Sequence, residues 1–315
     1  MSTKKIITVF GATGAQGGGL VRAIASDPNS EFTARAVTRD INSDKAKALA
    51  ALGAEVVSGD LDDEASVHKA LEGAYGAYFV TFFWAHFSAE REKNEAALFA
   101  KAAKQAGLKH AIWSTLEDTR EMVPLNDNRM PNLQEKYKVP HFDAKGESNK
   151  LFTDAGVPTT FLYASFYWEN FIFFGLGPKR GADGKLVMTL PIGDAKMAGV
   201  ASEDIGKCAY GAFKNPAYIG KHIGLAGEHL TGNEMAAEMS KALGETVSYN
   251  KVSADAYRNF GFPGADELGN MFQIYDEFAG PLNELRDVSI SKQLNPELLN
   301  FEQWLAKNAK SIPLE

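Results

Sequence analysis

The chain has 315 residues, of which 45% are hydrophobic and 23% charged, and its formal net charge is −7 at pH 7. This length allows one large or two ordinary domains. The acidic balance argues against direct binding to nucleic acid or to anionic membranes, because both favour basic surfaces. The single cysteine, Cys208, excludes an intrachain disulfide, so we expect a cytoplasmic protein, with the nucleus as an alternative.

Two apolar segments have some features of a secretion signal or a membrane span. The apolar run near the N-terminus, residues 6–10, is too short for the core of a signal peptide. The segment 161–177 is shorter than a typical membrane span and has Glu169 and Asn170 at its centre. We therefore expect no membrane-spanning helix.

The first 165 residues alternate between short apolar runs and helical segments. Predicted strands lie at 5–10, 32–39, 54–60, 77–83, 110–116 and 158–164. Predicted helices lie at 15–26, 43–53, 63–73, 88–107 and from 141 onward. This alternation is typical of βαβ units, so it predicts an α/β fold with a doubly wound parallel sheet of the Rossmann type.

After residue 165 the pattern becomes less regular. Asp183-Gly184 predicts a hairpin turn, and Thr231 with Glu234 has the spacing of a helix capping box, with Gly244 at the end of that helix. A strand at 247–252 and a helix at 253–260 follow. We predict a cofactor-binding domain at 1–165 and a smaller, irregular α/β lobe at 166–315. This lobe would close over the cofactor cleft, with some segments returning to the first domain.

The stretch "VFGATGAQGGG" places Gly11, Gly14 and Gly17 between the first strand and the first helix. Gly11 permits a sharp turn, Gly14 lets backbone amides approach a pyrophosphate, and Gly17 allows close packing of helix on strand. Because the strand, loop and helix occur in the required order, the motif predicts a dinucleotide site.

Arg39 ends the second predicted strand, at the position that contacts the adenosine ribose. An arginine there favours the 2′-phosphate of NADP(H) over the free hydroxyl of NAD(H). The alternative is that Arg39 is a solvated surface residue and Asp40 turns inward. After the third strand, Asp60 is predicted to bind the adenine amino group and Leu61 to pack on the ring, while Asp62 and Asp63 are predicted to cap the next helix.

Six motifs together resemble the atypical short-chain dehydrogenase/reductase superfamily, and in particular the NmrA-like family. They are "VFGATGAQGG", "VTR", "GAEVVSGDLDD", "HFDAKGE", "FYWENF" and "FGFPGA", and they extend over nearly the whole chain. Within this family the sequence is most similar to members regarded as NADPH sensors, which bind the cofactor and are not known as efficient reductases.

The resemblance implies a set of contacts with NADP(H). The pyrophosphate would lie on the loop Gly11–Gly17, including Thr13, Ala15 and Gln16, and Arg39, Asp60 and Leu61 would bind the adenosine end. The middle of the dinucleotide and the nicotinamide end would contact Thr81, Phe82, Phe83, Lys145, Tyr167, Trp168, Glu169, Asn170 and Tyr257. One departure is Asn94, with Lys93 beside it, where relatives have a lysine.

The motif "HFDAK" places His141 four residues before Lys145, where a short-chain reductase normally has a tyrosine as proton donor. His141 either exchanges a proton or, since Pro140 precedes it, only caps the helix entrance. Ser114 is the third catalytic candidate, and either orients a substrate or belongs to a turn. The histidines show no metal-ligand spacing, so no metal site is predicted.

Two functions remain open from the sequence. The missing tyrosine favours an NADP(H)-binding regulatory or redox-sensor protein, with protein partners and a monomeric or homodimeric state. The alternative is an atypical NADPH-dependent oxidoreductase that acts on a small carbonyl or quinone substrate.

Overall fold

A seven-stranded parallel sheet organises the protein, whose computed structural model describes residues 4–315. The strands in chain order are β1 (Lys5–Val9), β2 (Phe32–Thr38), β3 (Glu55–Ser58), β4 (Gly76–Phe79), β5 (His110–Thr115), β6 (Thr159–Tyr163), β7 (Phe166–Tyr167), β8 (Lys179–Arg180), β9 (Leu186–Leu190), β10 (Met197–Val200), β11 (His222–Gly224), β12 (Glu228–Leu230) and β13 (Val247–Lys251). The main sheet has the order β11-β6-β5-β4-β1-β2-β3.

Helices surround the main sheet and the two smaller sheets of the lobe. They are α1 (Ala15–Ser26), α2 (Asp44–Ala51), α3 (Glu64–Leu71), α4 (Ala89–Ala106), α5 (Pro140–Asp154), α6 (Asn170–Phe173), α7 (Ser202–Phe213), α8 (Gly232–Leu243), α9 (Ala254–Arg258), α10 (Ala265–Glu277), α11 (Ala279–Leu285), α12 (Val288–Leu294) and α13 (Phe301–Asn308). The predicted doubly wound α/β fold is confirmed. Among residues 4–315, no helix is both long and apolar enough to cross a bilayer.

Side chains alternate between two cores along each central strand, as a sheet covered on both faces requires. In β4, Tyr78 joins one core while Ala77 and Phe79 join the other. The core that contains Tyr78 continues into the C-terminal lobe, where it includes Met188 and Phe301. The lobe and the sheet therefore share one apolar interior.

The C-terminal half also contributes to the main sheet. Strand β11 extends it beside β6, and α7 crosses α1 so closely that a side chain at Gly206 would overlap the backbone of Gly19 and Leu20. Two three-stranded sheets, β12-β10-β7 and β13-β9-β8, form the remainder of the lobe with α8 to α13.

Several local predictions in this half are confirmed. Strands β8 and β9 form an antiparallel pair around Gly184, whose φ of +78° explains the glycine. Helix α8 has the predicted capping box of Thr231 and Glu234, and Gly244 ends it in the left-handed conformation. The helices from α10 onward were not predicted from the sequence.

One predicted strand is too long at its carboxyl end. The apolar run 77–83 was predicted as a strand, but β4 ends at Phe79. Residues Phe83–Ala85 form a 3₁₀ turn, and Thr81 directs its hydroxyl to a helix instead of a neighbouring strand, donating to Oε1 of Glu92 at 2.6 Å.

The segment between β5 and α5, residues 116–139, is anchored by the buried carboxylate of Asp143. This carboxylate accepts hydrogen bonds from the backbone of Thr119, Lys138 and Val139. The ammonium of Lys138 in turn binds two carbonyl oxygens of the same segment at 2.7 Å. This loop is therefore tied to the start of α5.

Candidate functional site

The loop after β1 leaves the N-terminus of α1 without a side-chain cap. Gly11 has a φ of +64°, and the cap position is Gly14, with no acidic residue in the first turn. By contrast, the side chains of Ser43, Asp63 and Ser88 cap the next three helices. The free N–H groups and the helix dipole at α1 are therefore available to an anion such as a pyrophosphate.

Gly14 and Gly17 differ in what surrounds them. Gly14 is exposed, as are Gly11 and Ala15, and Thr13 is half-buried. An added Cβ at Gly17 would lie 2.5 Å from the carbonyl oxygen of Gly11. Gly17 thus has the predicted packing role, while Gly14 faces outward.

Gln16 directs its side chain inward, toward the carboxyl ends of β4 and β5. Its Oε1 accepts hydrogen bonds from Tyr78 and, at 2.8 Å, from Ser114, while its Nε2 donates to Tyr167. Burial raises the pKa of the Tyr167 phenol. The Gln16 amide is therefore committed to these three hydroxyls, and the Ser114 proton is already donated within the protein.

Arg39 lies just beyond the carboxyl end of β2, which pairs in parallel with β1 and so lies beside the glycine loop. Arg39 is exposed and makes no ion pair or side-chain hydrogen bond with residues 4–315. The carboxylate of Asp40 instead accepts the N–H of Asn42 at 2.8 Å within its own turn. This arrangement leaves a free guanidinium where a 2′-phosphate is expected.

The residues after β3 serve different purposes. Asp60 is exposed and Leu61 half-buried at the same edge of the sheet. Asp63 caps α3 as predicted. The prediction for Asp62 is wrong, because its carboxylate lies 3.0 Å from the guanidinium of Arg91 and forms an ion pair with it.

Lys145 lies against the residues that follow β4. Its ammonium donates to the hydroxyl of Thr81 at 2.6 Å and lies 2.7 Å from Oε1 of Glu92, which has no exposed surface. Burial alone would raise the pKa of Glu92, but the charge of Lys145, the nearby His86, and hydrogen bonds from Lys145 and Thr81 lower it to about 2. The third N–H of the ammonium donates to the carbonyl oxygen of Thr81 over a long 3.4 Å, which is the contact that a ribose hydroxyl would replace.

His86, Glu92 and Glu95 form a cluster with metal-ligand chemistry, although no such spacing was recognised in the sequence. Their ligand atoms lie within 4.8 Å of one another. However, Nδ1 of His86 accepts the N–H of Ser88 at 3.1 Å, so the proton of the neutral ring is on Nε2, which faces both carboxylates. Nε2 lies 3.5 Å from Glu92 and 3.9 Å from Glu95, too far for a hydrogen bond, so it and Oε2 of Glu92 are buried without a hydrogen-bond partner among residues 4–315. We interpret the cluster as part of the polar surroundings of Lys145.

His141 is the second residue of α5 and is held by an acid from the C-terminal lobe. Oε1 of Glu267 accepts both the backbone N–H of His141, at 2.7 Å, and its Nδ1, at 2.6 Å. Pro140 occupies the first helical position and Val139 the cap, so His141 does not cap the helix. The two residues are 6% and 4% exposed, and they connect α5 to α10.

The remaining aromatic candidates differ in exposure. Phe82 is 60% exposed next to Thr81, whereas Phe83 is buried and packs 5.7 Å from the His141 ring. Tyr257 is also buried, among Phe260, Phe262 and Phe272. A ring in that position cannot close over a cofactor without first leaving its cluster.

Trp168 and Glu169 have structural contacts in place of the expected nicotinamide contacts. Trp168 is buried against Phe301 and Trp304. Oε1 of Glu169 accepts the indole N–H of Trp304, and Oε2 accepts the N–H of Ser202 at the start of α7, both at 2.9 Å. Tyr167 and Asn170 are half-buried and stay candidates.

Glu92 and Glu267 were not among the residues predicted for the site. The sequence pattern around each glutamate indicates burial, because each occurs among residues that are otherwise apolar on one face of a helix. Glu92 follows Ala89 and precedes Ala96 and Phe99 on the buried face of α4. Glu267 precedes Met271 and Ile274 on the buried face of α10. A carboxylate in such a stripe requires a buried partner.

Comparison with known proteins shows a match over nearly the full length. The model of the NmrA-like family matches residues 3–305. The NmrA-like family domain-containing oxidoreductase FrzB of Cladobotryum sp is 28% identical, over 87% of this chain and 85% of its own. The NmrA-like family domain-containing protein DDB_G0286605 of Dictyostelium discoideum is 27% identical, over 97% and 98%.

A solved structure shows the same fold. The crystal structure of NmrA, a negative transcriptional regulator, in complex with NADP superposes with a TM-score of 0.77. The two chains are 24% identical, and the match covers 97% of this chain and 95% of NmrA. NmrA has also been crystallised with NAD.

Proposed function

Because this chain belongs to the NmrA-like family, we propose that it binds NADP(H) at the carboxyl edge of the main sheet and acts as a regulatory, redox-sensing protein. The observation that carries the proposal is the uncapped N-terminus of α1 beside the free guanidinium of Arg39. Together they offer one site for a pyrophosphate and a second for a 2′-phosphate. The preference for NADP(H) over NAD(H) is part of the proposal.

The regulatory role is supported by the site around Lys145. A tyrosine is missing four residues before this lysine, and Lys145 is stabilised by Glu92 and Thr81 whether or not hydride transfer occurs. A sensor requires that the cofactor bind two conformations with unequal affinity. Protein partners, a monomeric or dimeric state and a cytoplasmic or nuclear location belong to the same proposal.

The experiment combines titration calorimetry with hydrogen exchange. Calorimetry with NADPH, NADP⁺ and NADH tests binding, and hydrogen exchange with each ligand tests whether the loop 116–139 or the lobe around Tyr257 changes protection. We expect NADPH and NADP⁺ to give different exchange patterns, and Arg39→Ala to abolish the difference at the same ligand concentration. Absence of binding would refute the cofactor site, while binding with unchanged exchange would refute the sensor.

The second candidate is an NADPH-dependent oxidoreductase for a small carbonyl or quinone substrate. One structural observation favours it: an imidazole held by a buried carboxylate takes the position of the usual phenol. The name of the relative FrzB, an oxidoreductase, points in the same direction. NADPH consumption with a panel of quinones and aldehydes separates this function from the first.

A further inference from the structure

A polar cavity lies where the C-terminal lobe meets the loop 116–139, and we call it the lobe cavity. Its volume is about 400 Å³, which is in the range of small-molecule sites. The helices α9 and α10, the end of β13 and Arg129 of the loop contribute to its wall. None of the residues predicted for the cofactor, all of which the structure describes, lines it. The lobe cavity is therefore separate from the site at the carboxyl edge of the main sheet.

The charges that line the lobe cavity balance. Three basic and three acidic side chains contribute to the wall, namely Arg129, Lys251, Arg258, Asp255, Asp276 and Glu277. A wall with charges of one sign would favour a ligand of the opposite sign, whereas equal numbers of both suit a molecule that carries both charges. Arg129 and Lys251 already have exposed carboxylate partners nearby. The two side chains whose charge is least compensated are Arg258 and Asp276.

Arg258 is the buried cation of the wall. Its side chain is 9% exposed, whereas that of Asp255, the carboxylate paired with it at 2.6 Å, is 89% exposed. An exposed carboxylate is screened by water and compensates a buried charge only weakly. Burial accordingly lowers the pKa of the Arg258 guanidinium. A ligand carboxylate would complete this compensation.

Two amides fix the direction of the Arg258 guanidinium. Its Nε donates to Oδ1 of Asn270 at 2.7 Å, and Nη2 donates to Oε1 of Gln273. With the bond from Nη1 to Asp255, three of the five N–H donors have acceptors among residues 4–315. One N–H remains on each terminal nitrogen, and a carboxylate accepts such a pair in the bidentate arrangement.

Asp276 is the unpaired anion of the same wall. Its carboxylate forms no ion pair or hydrogen bond with the part of the chain that the structure describes, residues 4–315. Partial burial and the neighbouring Glu277 raise the pKa of this carboxyl. On α10, Asp276 lies three residues after Gln273, so the two share a face with their Cβ atoms about 5–6 Å apart. The carboxylate is thus about one helical turn from the contact between Gln273 and Arg258.

We propose that the lobe cavity binds a free α-amino acid, with the carboxylate of the ligand on Arg258 and its ammonium on Asp276. The two charged groups of an α-amino acid are attached to the same carbon, so one small molecule reaches both residues. A simple anion would meet the carboxylate of Asp276, and a simple amine would meet the guanidinium of Arg258, so a like charge opposes each of them. The inference does not use the cofactor and adds a second ligand to the regulatory function proposed above.

The amides of Asn270 and Gln273 also connect this site to the loop 116–139. Nδ2 of Asn270 donates to the carbonyl oxygens of Pro131 and Lys138 at 3.0 and 2.6 Å. Nε2 of Gln273 donates to the carbonyl oxygen of Arg129 at 3.1 Å. A ligand that holds the guanidinium also restricts the two amides, and through them the loop. Occupancy of the lobe cavity should therefore stabilise the loop in this conformation.

Titration calorimetry of the full chain with each of the common L-amino acids tests binding. At least one should bind with a dissociation constant of about 1 mM or tighter. For the tightest of them, the deaminated acid and the decarboxylated amine should each bind at least ~10-fold more weakly, because each loses one charged contact. Absence of binding by all of them would overturn the proposal, and so would an analogue that binds as tightly as the amino acid.

Asp276→Asn tests the ammonium contact without removing an ion pair or hydrogen bond from the fold. It should weaken binding of the amino acid by roughly 10-fold or more and leave the affinity for the deaminated acid unchanged or higher. Asp266→Asn, at an exposed position in the first turn of the same helix, is the matched control and should bind normally. Normal affinity of Asp276→Asn for the amino acid would exclude the ammonium contact.

Arg258→Lys tests the carboxylate contact, because it keeps the positive charge and removes the paired N–H donors. Affinity for the amino acid should fall by about 10-fold or more. Circular dichroism checks that this variant is folded, and the comparison with Asp276→Asn decides by itself if it is not. Normal affinity of a folded Arg258→Lys would exclude the bidentate contact.

Hydrogen exchange tests the connection to the loop. A saturating amino acid should increase protection of the backbone between residues 129 and 138, and Asp276→Asn at the same ligand concentration should reduce this increase. Unchanged protection at saturation would overturn the connection. NADPH titration of the same samples separates the two proposals: if NADPH binds and no amino acid does, the lobe cavity is refuted as a site and the cofactor proposal stands.

Discussion

The ammonium of Lys145 lies 2.7 Å from a carboxylate oxygen of Glu92, and the Glu92 side chain has no exposed surface. Removing one partner of a buried ion pair leaves the other charge buried and uncompensated, which costs more than the pair contributes in its intact form. Glu92 is therefore the buried counter-ion of Lys145 at the end of β4.

Glu92→Gln should destabilise the protein by about 3 kcal/mol, because Lys145 would keep its burial and lose its counter-ion. Chemical denaturation measures this loss. The control is Glu90→Gln on the same helix, where the glutamate side chain is 55% exposed and the expected loss is within about 1 kcal/mol. Equal losses in the two variants would contradict the assigned role of Glu92.

The same carboxylate predicts a pH dependence. The pKa of Glu92 is lowered from 4.5 to about 2 in the folded protein. The stabilisation that ionised Glu92 contributes to the folded protein is thus complete above the pKa that Glu92 has in the unfolded chain. It is lost as the pH falls from about 4.5 toward 2. Glu92→Gln should flatten the acid limb of the stability profile in this window, as followed by thermal unfolding at each pH.

Structural features that depend on residues close together in the chain could be predicted from the sequence. The turn at Gly11, the close packing at Gly17, the capping box of Thr231 and the turn at Gly184 all depend on neighbours a few residues away, and the structure confirms these predictions. The alternation of strands and helices gave the parallel sheet for a similar reason, since each βαβ unit is short.

Contacts between distant segments were not predictable in this way. Glu267 reaches His141 across 126 positions of the chain, and Arg286, fully buried, pairs with Glu117 across 169. Trp168 was expected at the nicotinamide because of its motif, but the lobe's last helix, α13, provides it with an aromatic partner in Trp304. A motif locates a residue in the chain and leaves its side-chain direction to tertiary packing.

Arg39→Ala should weaken NADPH binding by roughly 10- to 100-fold and leave NADH binding almost unchanged. Only NADPH has a 2′-phosphate, and this phosphate would lose its charged partner. Isothermal titration with both cofactors measures the ratio. Lys47→Ala, at an exposed position on α2, is the control for a general loss of positive charge. A parallel loss of both cofactors in Arg39→Ala would contradict the phosphate assignment.

Gly14→Ala and Gly17→Ala should separate binding from folding. An added methyl at Gly14 is 3.2 Å from the carbonyl oxygen of Gly11, a tight contact that needs a shift of a few tenths of an ångström, and we expect it to occupy the space of the pyrophosphate. At Gly17 the methyl would lie 2.5 Å from the same oxygen, which is a severe clash. We expect a large drop in melting temperature for Gly17→Ala, and for Gly14→Ala a loss of affinity with a much smaller drop.

Substitution of Gln16 tests whether this residue of the glycine loop binds the cofactor or stabilises the interior. Its amide satisfies the hydroxyls of Tyr78, Ser114 and Tyr167 in the interior, so Gln16→Leu should cost about 2–4 kcal/mol of stability by leaving buried polar groups unpaired. The double variant Gln16→Leu/Tyr78→Phe removes one orphaned hydroxyl and should be less destabilised than the sum of the single variants. If Gln16→Leu instead weakens NADPH binding at full stability, the amide contacts the cofactor and the inward cluster is not its role.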